Sequence, residues 1–163
     1  MKILVFDDSE IHRETASVLL KEHDLTIVGT YDEAFEALTE PDFLDFRKTT
    51  NSDFDVVLTD LMVPASSNQM GDEGRKFVGQ EMPLGTMIAF RALAAGVRNV
   101  AVVTDTNHHD HPASAAFDRF PVFTVGEGVR ILCTNDENDV RAPFDQKTFE
   151  PISLTFHLSD EGD

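Results

Sequence analysis

Apolar residues fall in short blocks separated by amphipathic stretches. Lys2–Phe6 (KILVF), Leu25–Gly29 (LTIVG), Asp55–Thr59 (DVVLT) and Asn99–Thr104 (NVAVVT) are near-continuous runs rich in Val, Ile and Leu. Such runs suit strands covered on both faces, as in a parallel sheet, because a half-solvated strand would alternate. Between the first two, Ile11, Thr15, Val18 and Leu19 recur at i, i+4, i+7 and i+8. They predict a helix over 9–22 that buries this side, capped by Asp8 or Ser9. Thr30 and Glu33 have capping-box spacing, so a second helix starts near Tyr31. Pro41 interrupts it, with room for a further helical turn around Phe43 and Phe46. Residues 65–82 are rich in Ser, Asn, Gln and Gly and read as a long loop. Pro83 opens a third helix with Leu84, Met87, Ile88, Arg91 and Ala95 along one side and Gly96 as its stop.

This β-α-β-α-β-α-β alternation predicts a doubly wound α/β fold. In the C-terminal third, Pro112–Phe120 suits a short helix, and either Val122–Val125 or Val129–Thr134 suits a fifth strand. Ile152–His157 alternates apolar and polar residues, the pattern of an extra edge strand. The expectation is a single domain over 1–158 with an inserted loop at 65–82 and a frayed polar tail at 159–163. Its sheet has five parallel strands in the order 2-1-3-4-5, a flavodoxin-like arrangement.

Composition narrows the partners. The 163 residues, 41% hydrophobic, suffice for one packed core. No window approaches the ~18 apolar residues of a membrane span. The run Ile3–Phe6 is shorter than the roughly 7–15 residues of a signal-peptide core. The single cysteine, Cys133, leaves no internal disulfide. These features predict a cytoplasmic protein. A net charge of −17 argues against nucleic acid, whose binding depends on basic side chains, and against anionic membrane surfaces.

The placement of the acids changes the picture more than their number. Asp7 and Asp8 follow the first predicted strand, Asp60 follows the third, and Thr104 and Asp105 close the fourth. In a doubly wound sheet, ligands bind beyond the carboxyl ends of the strands, where the strand order reverses. With the order 2-1-3-4-5, Asp7, Asp8, Asp60 and Thr104 converge there. Carboxylates this close repel, so a pKa rises or a cation binds. Oxygen ligands with room for water suit Mg²⁺. A metal-neutralised Asp60 is suited to attack a phosphoryl donor, with Thr104 placed to hydrogen-bond a phosphoryl oxygen. The bland alternative is that strand-end aspartates merely cap the helices that follow.

With these residues in place, the chain resembles the receiver domain of bacterial response regulators. Ile3-Leu4-Val5-Phe6-Asp7-Asp8, Asp55-Val56-Val57-Leu58-Thr59-Asp60-Leu61-Met62-Val63-Pro64 and Val100-Ala101-Val102-Val103-Thr104 carry the likeness, over roughly 1–64 and 84–106. Proline four residues after the acceptor aspartate belongs to the family pattern. The resemblance implies that Asp60 is the phosphoacceptor. Asp7, Asp8, Asp60 and the backbone carbonyl of Met62 would hold Mg²⁺, and Thr104 would be the switch hydroxyl. It also implies a histidine kinase or phosphotransfer protein upstream and a downstream protein partner. No enzymatic activity is implied beyond self-phosphorylation from a phosphodonor.

Three features depart from that pattern. The family carries a lysine at the end of strand five, and none of Lys2, Lys21, Lys48, Lys76 and Lys147 falls there. Asp105 stands where a small residue is usual. The 65–82 stretch is far longer than the family's tight turn. The missing lysine and Asp105 favour an alternative, a degenerate receiver that takes no phosphate and acts as a protein-binding scaffold. A third reading uses His108, His109 and His111 as ligands for Zn²⁺ or another transition metal in a hydrolase. Ligand sites usually space their residues by three or four, and a polar loop with an aspartate or histidine helix cap is the plainer reading of this run. Phe120 and Phe123 are candidates for a switch aromatic or for ordinary core. Gly126-Glu127-Gly128 lacks the Lys-Ser/Thr of a phosphate loop.

Overall fold

The computed structural model describes residues 1–38, 52–66, 68, 71–105, 111–117, 122–124 and 130–135. In chain order the elements are β1 (Lys2–Phe6), α1 (Glu10–Leu19), β2 (Asp24–Val28), α2 (Tyr31–Ala37), β3 (Val56–Asp60), β4 (Val63–Pro64) and α3 (Gly71–Gly74). A 3₁₀ turn (Arg75–Phe77) follows, then β5 (Glu81–Met82), α4 (Gly85–Ala94), β6 (Asn99–Thr104), α5 (Pro112–Phe117), β7 (Val122–Thr124) and β8 (Arg130–Asn135).

Four of the strands are the predicted apolar runs, and they lie parallel in the order β2-β1-β3-β6. Helices alternate with them along the chain, so this part is a parallel α/β sheet of the expected kind. Beyond β6, β8 continues the parallel set and β7 pairs antiparallel on its outer side. The two segments that compete in the sequence for the fifth position are thus both strands, and the later one takes it. Two strands so close in sequence can pair only antiparallel, whereas α5 helps supply the crossover a parallel neighbour needs. The segments around Phe43–Phe46 and Ile152–His157 lie outside the described residues. Among those described, no helix is long and apolar enough to cross a membrane.

Strand residues alternate strictly between two cores. Leu4, Phe6, Val57, Val100 and Val102 pack with α2 and α4 on one face. Ile3, Val5, Val56, Leu58, Ala101 and Val103 pack with Ala16 and Leu20, from α1 and its end, on the other. The period of two explains why the runs are apolar throughout: both faces are covered.

Helix α1 sits rotated from its expected face, whereas α4 buries Ile88 and Ala95 of its expected side. In α1 the buried residues are His12 and Ala16, followed by Leu20, while Ile11 and Val18 are each 65% exposed. Small Ala16 lets the helix approach the sheet, and His12 turns inward to meet a carboxylate. The apolar stripe Ile11–Val18–Leu19 therefore faces out, a correction to the amphipathic reading. In α4 the inward side is Gly85, Ile88, Ala89 and Ala92, and Met87 is exposed. Gly85 has no alternative, because a Cβ there would overlap the Asp60 carbonyl. Gly96, at φ 88°, ends the helix as expected.

Helix α2 begins in the predicted capping box: Glu33 N–H donates to Thr30 Oγ1 (3.2 Å), and Glu33 Oε2 accepts from the Thr30 N–H (3.1 Å). Its other end is closed by a residue of α4. Arg91 donates from Nε to the Phe35 carbonyl (2.9 Å) and from Nη2 to the Leu38 carbonyl (3.0 Å), with its guanidinium 3.5 Å from the Phe35 ring centre. A cation and two donors at a helix C-terminus satisfy carbonyls that have no partner within the helix. Replacing Arg91 with methionine keeps most of the apolar stem but removes the fork. Urea unfolding is expected to show a loss of about 1–3 kcal/mol. Lysine should recover little of it, since one ammonium cannot reproduce the fork.

The described residues of 65–82 are more ordered than a loop. β4 and β5 pair antiparallel, Val63 with Met82 and Pro64 with Glu81. Ala65 and Gly79–Gln80 extend the ribbon through bonds of 2.9 and 2.8 Å. Ser66 Oγ donates to Asp32 Oδ1 (2.6 Å), tying the ribbon to α2. Two-residue strands carry no periodicity, which is why the sequence shows only polarity there.

Candidate metal centre

Asp7, Asp60 and Asp105 continue the alternation Ile3–Val5, Val56–Leu58 and Ala101–Val103. The strands thus aim all three toward the α1 side at the carboxyl edge of the sheet. Asp7, Asp8 and Asp60 each offer an oxygen within 4.8 Å of the others. Asp7 is 1% exposed and Asp60 8%. This is an acidic triad able to hold a metal ion at the strand ends of a parallel α/β sheet.

Local bonds set the triad's shape. Asp7 Oδ1 accepts from the Ser9 N–H (2.9 Å), so Asp7, rather than the Ser9 hydroxyl, organises the start of α1. Asp60 Oδ1 accepts from the Leu61 N–H (2.6 Å), and its second oxygen accepts no hydrogen bond among the described residues. Arg13 spends its Nη1 on the backbone carbonyls of Asp7 (2.8 Å) and Asp8 (2.7 Å). It thus fixes the turn that presents both side chains. Gly29 leaves room for it, since a Cβ at Gly29 would lie 3.0 Å from the guanidinium carbon.

The carboxylates destabilise one another's charge. Burial, then Asp7 and Asp105, hold the Asp60 pKa well above the ordinary aspartate value. Burial pushes Asp7 up to about 6 against the opposing pull of His12. Asp8 is raised chiefly by burial. Glu81, brought in by the β4–β5 ribbon, is raised by partial burial and then by Asp8 and Asp105. Asp8, Asp60, Glu81 and Asp105 line one cavity of about 440 Å³ with Ser9, Met62 and His111, and none of these is Lys or Arg. Four carboxylates around one cavity, one of them deeply buried with a free lone pair, form an all-oxygen donor set. That set fits a hard divalent cation.

The other predicted residues divide. Thr104 closes β6 and is buried; Asp60 pairs with Val103, so Thr104 stands one residue further along the neighbouring strand. It does not itself line the acidic cavity. Met62 does. His108, His109 and Lys147 lie outside the described residues. His111 lines the cavity and also caps α5: its Nδ1 accepts from the Ala113 N–H (3.1 Å). A neutral ring that accepts at Nδ1 carries its proton on Nε2, so it offers the cavity a donor rather than a metal-ligating lone pair.

Sequence reasoning missed His12, Arg13 and Glu81. His12 Nδ1 lies 3.2 Å from both oxygens of Asp7, and its Nε2 lies 4.0 Å from Asp105 Oδ2. Its one available signal is a polar residue on the Ala16–Leu20 side of α1. Glu81 has none, because its place depends on ribbon register. Compared with family models, curated proteins and solved structures, the chain gives no match.

Proposed function

We propose that this chain is a phosphoacceptor receiver module of a phosphorelay, with Asp60 as acceptor. The observation that carries the reading is the triad: Asp7, Asp8 and Asp60 meet within 4.8 Å at the ends of adjacent parallel strands. The strand order, Pro64 four residues after Asp60, and Thr104 at the end of β6 support it. Asp7, Asp8, Asp60 and the Met62 carbonyl would hold Mg²⁺. Bound there, the ion would supply positive charge that lets Asp60 ionise and shields an incoming phosphoryl group.

The chain's own residues do the rest. Asp60 presents its unbonded oxygen as the nucleophile, while the Leu61 N–H holds the other. Thr104, at the end of the neighbouring strand β6, would donate to a phosphoryl oxygen. Arg13 keeps the two neighbouring aspartates presented. The upstream partner would be a histidine kinase or phosphotransfer protein and the output a protein contact. The exposed apolar stripe Ile11–Val18–Leu19 on α1, beside the site, supports such docking.

Incubation with acetyl phosphate and Mg²⁺, read by intact mass, tests the proposal. A phosphoryl adduct is expected in the parent chain and absent in Asp60→Asn. No adduct with any small phosphodonor would discard it. One observation favours a second reading, a receiver that binds metal and partner without taking phosphate. Glu81 and Asp105 add two carboxylates where phosphate would approach, and among the described residues no Lys or Arg lines the cavity. Under that reading Mg²⁺ binds and no adduct forms.

A further inference from the structure

We propose that His12 is a positioning residue for the acidic centre, fixing Asp7 as a metal ligand from the protein side; this rests on the reading of the triad as a cation site. The ring sits on α1 five residues after Asp7, 7% exposed, with Nδ1 equidistant from both Asp7 oxygens at 3.2 Å. An ionised carboxylate has no proton to give, so Nδ1 donates, shared between the two oxygens. The Ser9 N–H adds a second donor at Oδ1. Together they hold the Asp7 carboxylate in one orientation, with its remaining lone pairs available to the Asp8–Asp60 side.

Packing alone gives no reason for an imidazole here. The core on the α1 face of the sheet is apolar, with Ile3, Val5, Ala16, Leu20 and Leu58 among its members, and an imidazole buried on this helix face is costly unless it is hydrogen-bonded. The other ring nitrogen points toward Asp105, 4.0 Å away. His12 therefore spans the ends of β1 and β6, the strands that flank Asp60 in the sheet. Hydrogen-bonding partners behind metal ligands typically account for a 10–100-fold share of metal affinity. His12 occupies that place for Asp7.

Titration calorimetry with Mg²⁺ on the full chain tests this with His12→Leu and His12→Asn. Asparagine keeps an N–H near the Nδ1 position and leucine keeps only bulk. The expected result is a 10–100-fold weaker Mg²⁺ affinity in His12→Leu, with most of it recovered in His12→Asn. Melting curves without Mg²⁺ confirm that both fold. Equal affinity in all three chains would overturn the role while leaving the metal site standing. No binding by the parent chain would instead remove the site and the role together. Nitrogen-15 NMR of the unaltered protein reads the same geometry without a substitution. A proton on Nδ1, with its resonance moved by Mg²⁺, is expected. An Nδ1 without a proton would overturn the proposal even if the leucine variant does not fold.

Discussion

Gly85→Ala is expected to unfold the protein or dismantle the acidic centre, at a cost of at least about 3 kcal/mol in urea unfolding. The reason is local and geometric. Helix α4 starts against the chain just past β3, where the Gly85 N–H bonds to the Leu61 carbonyl at 3.1 Å. A Cβ on Gly85 would overlap the Asp60 carbonyl oxygen and lie 2.7 Å from its carbon and 3.0 Å from the Leu61 Cα. All three are backbone atoms, so no side-chain rotation relieves the overlap. Either α4 moves away from its contacts through Ile88, Ala89 and Ala92, or the Asp60–Leu61 peptide moves and takes the acceptor carboxylate with it. The control is Gly29→Ala, which meets only the flexible end of Arg13 and should cost far less. A Gly85→Ala chain as stable as the parent and still binding Mg²⁺ would refute this account of how the site is held.

The second large effect is a stability that depends on pH and Mg²⁺ together. Asp7 and Asp60 hold their protons more tightly in the folded chain than in the unfolded one. The folded state therefore binds more protons from the ordinary aspartate value, about 4, up to about 6 for Asp7 and through the raised Asp60 value. Metal-free stability must fall as pH rises through that window, the reverse of the usual salt-bridged carboxylate. For Asp7 alone the full change is on the order of 3 kcal/mol, about half of it between pH 5 and pH 8, or a melting temperature roughly 3–5 °C higher at pH 5 than at pH 8. Mg²⁺ competes with these protons. At pH 8 and a hundredfold excess over its dissociation constant, it should restore about 2.7 kcal/mol. At pH 5 it should do much less. Scanning calorimetry at both pH values, with and without Mg²⁺, reads all four conditions. A metal-free chain that is more stable at pH 8, with no response to Mg²⁺ there, would contradict the repulsion inferred from the structure.

The strands of the centre were legible because burial on both faces leaves a plain mark, the unbroken runs KILVF, VVL and NVAVV. The placing of Asp7, Asp8 and Asp60 followed, since the end of a run locates the end of a strand. Helix faces were harder to read. In α1 the apolar stripe through Ile11 and Val18 was conspicuous, yet the side that packs is His12–Ala16–Leu20, selected by close approach and by a hydrogen bond to Asp7. Hydrophobicity along a helix cannot report either. Glu81 was hidden for a different reason: it reaches the cavity through a ribbon only two residue pairs long. The capping box at Thr30, by contrast, is a local bond between neighbours in sequence and was read correctly.

The strict two-residue alternation of the sheet also sets where the chain can change length. Deleting one residue inside β1, β3 or β6 would exchange the two faces of that strand and carry its terminal aspartate to the side of α2 and α4, away from the other two. Lengthening or shortening 71–77, beyond the ribbon, moves no strand and leaves the closing Pro64–Glu81 pair intact. Descendants of this sequence should therefore vary in size at the ribbon's far end while their strands stay fixed in count, residue for residue.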